Sequence, residues 1–244
     1  MLDRYQAVDP QQLCLTPEAK LLDVGCGTGR HLLELSRFPG TFIGLDLARE
    51  ELRKTQYMFN LTARQRPIVA DVDLMQGDGE RLAFDDGLFD YVLCTETLEH
   101  VPDDRAVLRE LVRVLRPGGV LVISVPDEYS ERLLWRLSSR YSNTPGGHVR
   151  IYRRKEISRL LREHGAEPFV VQFCHSLESV RWLVHSVVDR EWGNPGRITR
   201  AIRWLLDTPS HRNWRILSWC DALGNRILPK SIVLYGRKLE RQQQ

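Results

Sequence analysis

The sequence has no stretch approaching the roughly 18 consecutive apolar residues that a membrane-spanning helix needs. Its first residues, Met1-Leu2-Asp3-Arg4, are not the apolar region of a secretory signal. Neither a transmembrane protein nor one exported by a standard signal is expected. Cysteine is scarce: Cys14, Cys26, Cys94, Cys174 and Cys220 form an odd, widely spaced set with no C-x-x-C pair. That excludes a disulfide framework and a zinc knuckle, and a reducing cytoplasm fits best. There is no internal repeat, and no low-complexity segment apart from Gln242–Gln244.

What remains is ordinary globular composition: 244 residues, 42% hydrophobic and 27% charged. At this length one α/β domain buries a full core without disulfides or structural metal. The net charge of +3 hides a division. Residues 1–126 carry 14 basic against 20 acidic side chains, net −6, and residues 127–244 carry 21 against 12, net +9. Halves so different are expected to meet different partners, with an anionic ligand or surface on the basic side.

The first half alternates short apolar runs with helical patterns, which predicts βα units feeding a mainly parallel, doubly wound sheet. Strands are expected at Lys20–Val24, Thr41–Leu45, Asp73–Gln76, Phe89–Cys94 and Gly119–Val125. Helices are expected at Arg30–Arg37, Ala48–Asn60 and Asp103–Leu115, the last ended by Pro117-Gly118-Gly119. Beyond Pro126 the pattern changes to arginine-rich amphipathic helices, Glu131–Tyr141 and Arg154–Glu163, around the loop Ser142–His148. A strand at Pro168–Phe173, helices broken at Gly193–Gly196 and Thr208–Ser210, and a last strand Ser231–Tyr235 complete the reading.

Three segments carry chemistry. The first is Leu21-Leu22-Asp23-Val24-Gly25-Cys26-Gly27-Thr28-Gly29-Arg30, a buried strand entering a glycine turn and then a helix. Glycine lets the backbone approach a ligand closely, at a helix start whose N–H groups suit an anion. A dinucleotide fingerprint G-x-G-x-x-G requires glycine where Arg30 stands, which argues against a nicotinamide dehydrogenase. The second is Gly44-Leu45-Asp46, an acidic residue at a strand tip, placed to accept from both ribose hydroxyls of an adenosine or to cap the next helix. The third is Gln76-Gly77-Asp78-Gly79-Glu80, where Asp78 is placed to accept from an adenine amino group; alone, G-D-G is only a turn.

In this order, with Phe89-Asp90-Tyr91-Val92-Leu93-Cys94, Thr95-Glu96-Thr97-Leu98-Glu99-His100-Val101 and Leu115-Arg116-Pro117-Gly118-Gly119, the chain resembles class I S-adenosylmethionine-dependent methyltransferases over roughly residues 20–126. Gly147-His148-Val149-Arg150-Ile151-Tyr152, with Glu156-Ile157 and Leu160-Leu161, resembles a segment of the small-molecule branch that includes quinone-pathway enzymes. The resemblance implies a seven-stranded, Rossmann-like sheet and S-adenosylmethionine as methyl donor, with no metal. It implies Asp23, Gly25, Cys26, Gly27 and Gly29 around the methionine end of the donor, Asp46 and Leu47 at the ribose, and Asp78, Gly79 and Glu80 at the adenine. Thr95 and Leu98 would line the donor near the fourth strand. The domain plan it suggests is one methyltransferase domain, 1–244: a cap at 1–19, a donor-binding core at 20–126, a substrate-side insertion at 127–152 and a helical lid at 174–230.

The expected reaction is methyl transfer to O, N or C of a small, lipophilic acceptor. Positioning is the main task, with histidine the natural base for any proton removed. His100 and His148 are the catalytic candidates, each with an alternative structural role as a loop-holding residue. Glu99 is placed to assist His100. His31 reads as a helix residue against solvent or the ligand rim, and the other four histidines as structural. Cys26 and Cys94 read as small buried groups rather than nucleophiles. The 57 positions between Phe173 and Ser231 far exceed a hairpin loop. Within them, residues 197–230 carry seven basic and two acidic side chains, interleaved with Trp204, Trp214 and Trp219. A lid over the active site and an interfacial element on an anionic membrane are both compatible with that pattern. Two other functions fit parts of the sequence: a non-catalytic methyltransferase-like binding subunit, and RNA methylation. The second is disfavoured because Cys94-Thr95-Glu96-Thr97 stands where amino-methylating nucleic-acid enzymes of this fold show Asn/Asp-Pro-Pro-Tyr/Phe.

Overall fold

Strand β1 (Lys20–Val24) is buried on both faces beyond its first residue, so its side chains alternate between two cores rather than between core and water. Leu22 and Val24 join one cluster, with Val92, Cys94 and Ile123. Leu21 joins the other, with Phe42, Leu93 and Val122. A computed structural model describes residues 6–137, 147–188 and 219–240, together with residues 197 and 200.

The sheet order is β3-β2-β1-β4-β5-β7-β6. Strands β2 (Thr41–Asp46), β3 (Asp71–Gln76), β4 (Phe89–Thr95) and β5 (Leu115–Pro126) run parallel with β1. Strand β7 (Ser231–Lys238) lies antiparallel between β5 and β6 (Ala166–Cys174). Strands β6 and β7 thus pair antiparallel despite the 57 positions between Phe173 and Ser231. On one face, α4 (Asp104–Val114) and α6 (Arg154–Glu163) bury Val107, Leu108, Leu111, Ile157 and Leu161. On the other, α2 (Arg30–Leu35) and α3 (Arg49–Ala63) bury Leu32, Leu33, Leu52 and Phe59, joined by Ala7, Val8 and Leu13 near α1 (Pro10–Leu13). Helix α4 starts where expected because the Asp103 carboxylate accepts from the Ala106 N–H at 2.9 Å.

Pro117-Gly118-Gly119 does not end that helix. It lies inside β5, where the register to β4 jumps from Phe89↔Leu115 to Tyr91↔Val120 and Gly118 takes φ +73°. The extra residues make a bulge, and the strand begins at Leu115 rather than Gly119. Helix α5 (Glu128–Leu137) starts three residues earlier than expected, with the Asp127 carboxylate accepting from Tyr129 N–H at 3.2 Å. After β6, α7 (Ser176–Val188) opens the long connection. The predicted breaks at 193–196 and 208–210, and Trp204 and Trp214, lie outside the described residues, as does most of the loop 142–148. No helix among the described residues is long and apolar enough to cross a membrane.

Candidate functional site

Parallel pairing from β3 to β4 sets the strand ends Gln76, Asp46, Val24 and Thr95 along one edge of the sheet. After Val24 the chain turns sharply: Gly25 N–H and Cys26 N–H both donate to Leu45 O, at 2.8 and 3.1 Å, and Gly29 N–H to Cys26 O at 2.8 Å. Gly25 and Gly29 take φ +73°, and each is also pressed by a threonine. A Cβ at Gly25 would stand 2.3 Å from Thr97 Oγ1, and one at Gly29 2.4 Å from Thr55 Cγ2. A Cβ built at Gly27 would meet nothing within 4 Å, so that side of the turn is open to a ligand. Thr55 Oγ1 donates to Gly27 O at 2.6 Å and ties the turn to α3.

Asp46 is not the cap residue of α3, which is Ala48. Its Oδ2 accepts from Gly27 N–H and its Oδ1 from Ala48 N–H, both at 2.8 Å, so the carboxylate bridges the glycine turn and the start of α3. Beside it Leu47 is 69% exposed. Asp23 is buried, and neither carboxylate oxygen has a hydrogen-bond partner. Burial raises its pKa to about 7, opposed by Arg30 and reinforced by Asp46. Asp78 is exposed and accepts from Glu80 N–H at 2.9 Å, while a Cβ at Gly79 would stand 3.1 Å from Val24. Glu80 accepts from Asp103 N–H at 3.4 Å. Thr95 is buried at the end of β4, and Leu98 lies fully buried in the first core cluster. Burial pushes the Cys26 and Cys94 thiols well above their ordinary value, which removes them as nucleophiles.

The two histidine candidates meet. Their ring centroids are 4.9 Å apart in an edge-to-face arrangement, although 47 residues separate them. His100 Nδ1 donates to Gly147 O at 3.3 Å, and Val149 N–H to Glu99 O at 2.8 Å, which pins the His148 segment over the end of β4. His148 Nδ1 donates to Glu131 Oε1 at 2.5 Å, and the same oxygen accepts from Trp135 Nε1 at 2.8 Å. Burial works to raise the Glu131 pKa, but His148, Lys230 and Trp135 hold it below the usual carboxylate range. Glu99 is buried with both carboxylate oxygens lacking a hydrogen bond, and His148 Nε2 is 4.0 Å away. Burial, with Glu96 nearby, keeps its carboxyl well above the ordinary range. Glu99, His100 and His148 present donor atoms within 4.8 Å of one another, a grouping that could hold a cation.

Sequence reasoning missed Glu131 as a partner of His148, and read His31 as peripheral when it is buried with its pKa lowered by burial and by Arg30. It also treated His175 as structural. That residue takes φ +65°, a conformation only two other described non-glycine residues share, and it lines a cavity with Arg30 and Glu96. No spacing signal marks these residues, because they come together only through the sheet order.

A glycine turn after the first strand, an acid at the tip of the second and an antiparallel seventh strand between the fifth and sixth define the class I methyltransferase fold. Residues 22–123 match the family model described as a methyltransferase domain, over the stretch where the motif order predicts one. The chain is 34% identical over 176 residues to trans-aconitate 2-methyltransferase of Deinococcus radiodurans, covering 70% of this chain and 58% of that protein. It is 36% identical over 139 residues to ubiquinone biosynthesis O-methyltransferase of Xanthomonas oryzae pv. oryzae, covering 51% and 56%. A SAM-dependent methyltransferase structure from Methanosarcina mazei superposes with a TM-score of 0.60 at 19% identity, covering 95% of this chain and 98% of that one. The chain spans about half the length of the curated relatives it matches.

Proposed function

We propose that this protein transfers the methyl group of S-adenosylmethionine to O, N or C of a small-molecule acceptor. The observation that carries the reading is the open glycine turn at Gly27, flanked by the unpartnered buried carboxylate of Asp23 and by Asp46. These fit the donor's chemistry: a cationic amino acid end, backbone donors for its carboxylate, and an acid for its ribose. Asp23, Gly25, Cys26, Gly27 and Gly29 hold the methionine end. Asp46 accepts from the ribose hydroxyls with lone pairs left by its two backbone bonds. Leu47 lies exposed beside the ribose, the adenine edge meets Asp78, Gly79 and Glu80, and Thr95 and Leu98 back the site. The names of two relatives, acting on trans-aconitate and in ubiquinone biosynthesis, support a small acceptor.

When bound, the donor supplies an electrophilic methyl group on sulfonium, itself a good leaving group. The protein's tasks are in-line positioning, exclusion of water and, for a hydroxyl or amine acceptor, removal of a proton. His148 takes that proton at Nε2, because Glu131 engages its Nδ1 and offsets the charge that forms. His100, packed edge-on against it, contacts the acceptor. The domain plan follows: a donor core at 20–126, a cap at 1–19, and substrate-side additions at 127–152 and 174–230. A cytoplasmic location, a lipophilic acceptor and contact with an anionic membrane belong to the same reading. Their support lies in the absence of paired cysteines and in the basic, tryptophan-bearing residues 197–230, most of which lie outside the described residues.

Calorimetry with S-adenosylhomocysteine tests the donor site. The unaltered protein is expected to bind it, and Asp46→Ala to weaken binding at least tenfold. No binding, or binding indifferent to Asp46→Ala, overturns the reading. Incubation with labelled donor and the small-molecule fraction of a cell extract is expected to yield a labelled product.

A further inference from the structure

At the same edge of the sheet, between the glycine turn, the end of β4, the start of β7 and α7, lies a cavity of about 500 Å³. That volume is within the usual range for small-molecule sites. Its wall includes Arg30, Glu96, His175, Arg181, Trp182 and Lys230. The charges on this wall do not cancel. Arg181 is taken by Glu178, through Nε at 2.9 Å and Nη2 at 2.6 Å. Glu96 accepts from Ser124 Oγ at 2.7 Å and forms a long ion pair with Lys230 Nζ at 3.9 Å, which leaves Arg30 as the cation in excess on this wall.

Arg30 has no carboxylate within ion-pair distance among the described residues. Among the described residues its side chain has one hydrogen-bond contact, between Nη2 and His31 Nε2 at 3.4 Å, and its Nε is buried without a hydrogen-bond partner. Burial and the neighbouring Arg30 hold both His31 and His175 below the ordinary histidine range. A partly buried guanidinium left in this state is costly, and the group that complements its planar fork is a carboxylate.

We infer that this cavity receives the methyl acceptor through a carboxylate group, bound by Arg30 and Lys230 with Trp182 forming an adjoining wall. The acceptor is then an organic acid, not a purely lipophilic molecule. The inference rests on the methyltransferase reading, since it assigns the acceptor of that reaction. The donor brings a carboxylate of its own, so the test must separate the two sources.

Ligand-observed NMR titration of benzoate, and of its neutral isostere benzamide, into protein saturated with S-adenosylhomocysteine makes that separation. Benzoate is expected to bind the saturated protein and benzamide not to. Arg30→Gln and Lys230→Gln are each expected to weaken benzoate about 10- to 100-fold, the loss of a charge-assisted contact, while Arg30→Lys, which keeps the charge but not the planar fork, falls between Arg30→Gln and the unaltered protein. Affinity for S-adenosylhomocysteine should stay within about twofold in Lys230→Gln and Arg30→Lys, and circular dichroism reports that all three variants fold. The inference is overturned if benzamide binds as well as benzoate, if no benzoate binds, or if Arg30→Gln leaves benzoate unaffected. It is equally overturned if S-adenosylhomocysteine displaces benzoate and Arg30→Gln weakens the former, for then Arg30 serves the donor's carboxylate. Failure of the unaltered protein to bind S-adenosylhomocysteine would instead overturn the methyltransferase reading, a distinct outcome.

Discussion

Asp23 holds a proton more tightly in the folded chain than in the unfolded one, since burial moves its pKa from 3.8 to about 7. A raised acid pKa stabilises the fold fully below about pH 4, and the contribution is lost as pH rises toward 7. At about 1.4 kcal/mol per unit this amounts to about 4 kcal/mol. Asp23→Asn removes the dependence, so urea unfolding between pH 4 and 8 should show a steeper loss of stability in the unaltered protein than in the variant. Binding of S-adenosylhomocysteine brings an ammonium group that favours the ionised carboxylate. Near pH 6 it should therefore release close to one proton, read by calorimetry in buffers of different ionisation enthalpy; proton uptake would contradict the assignment. At the other end of the site, Glu131→Gln keeps the shape but removes the charge facing His148. It should lower kcat by about tenfold or more, and His148→Ala by about 100-fold, with donor affinity unchanged. Equal rates in all three proteins would leave positioning as the sole mechanism.

The glycine turn and α3 act as one element. A methyl group at Gly29 meets Thr55 and must also accept φ +73°. Gly29→Ala should cost about 1–3 kcal/mol, and pairing it with Thr55→Ser, which deletes the clashing methyl but keeps the hydroxyl, should recover part of that. A double-mutant cycle by chemical denaturation reads the coupling. Elements were legible in the sequence where short-range pattern and tertiary demand agree. The run Leu21-Leu22-Asp23-Val24 followed by alternating glycines announces a buried strand and a turn, and the structure has both. Pro117-Gly118-Gly119 misleads because the same residues that stop a helix also make a strand bulge, and only the pairing partner decides between them. The Glu131–His148 contact was not legible, because its 2.5 Å bond joins α5 to a loop beyond the intervening segment. The acid-binding cavity has no local signature at all. Its lining comes from residues as distant as Ala7 and Ser231.

Across the whole molecule, the chain's two ends are fastened to each other. Tyr235, fully buried in β7, accepts from Asp9 N–H at 2.8 Å and donates to Gln172 Oε1 at 3.3 Å, which holds the segment before α1 against the second core. Tyr235→Phe should cost about 1 kcal/mol and lower Tm by about 2–4 °C, measured by calorimetry. The acidic half of the sequence forms the five parallel strands, while the basic half supplies β6, β7 and the helices over the sheet edge. The position of β7 has a consequence for biosynthesis. It is made after both β5 and β6, yet it fills the slot between them and bonds to both. Until residue 238 leaves the ribosome, β5 presents a bare, strongly apolar rim and β6 has nothing to pair with. The nascent chain therefore carries an open adhesive edge from the completion of β5 until β7 emerges, and chaperone dependence should be set by how quickly β7 arrives.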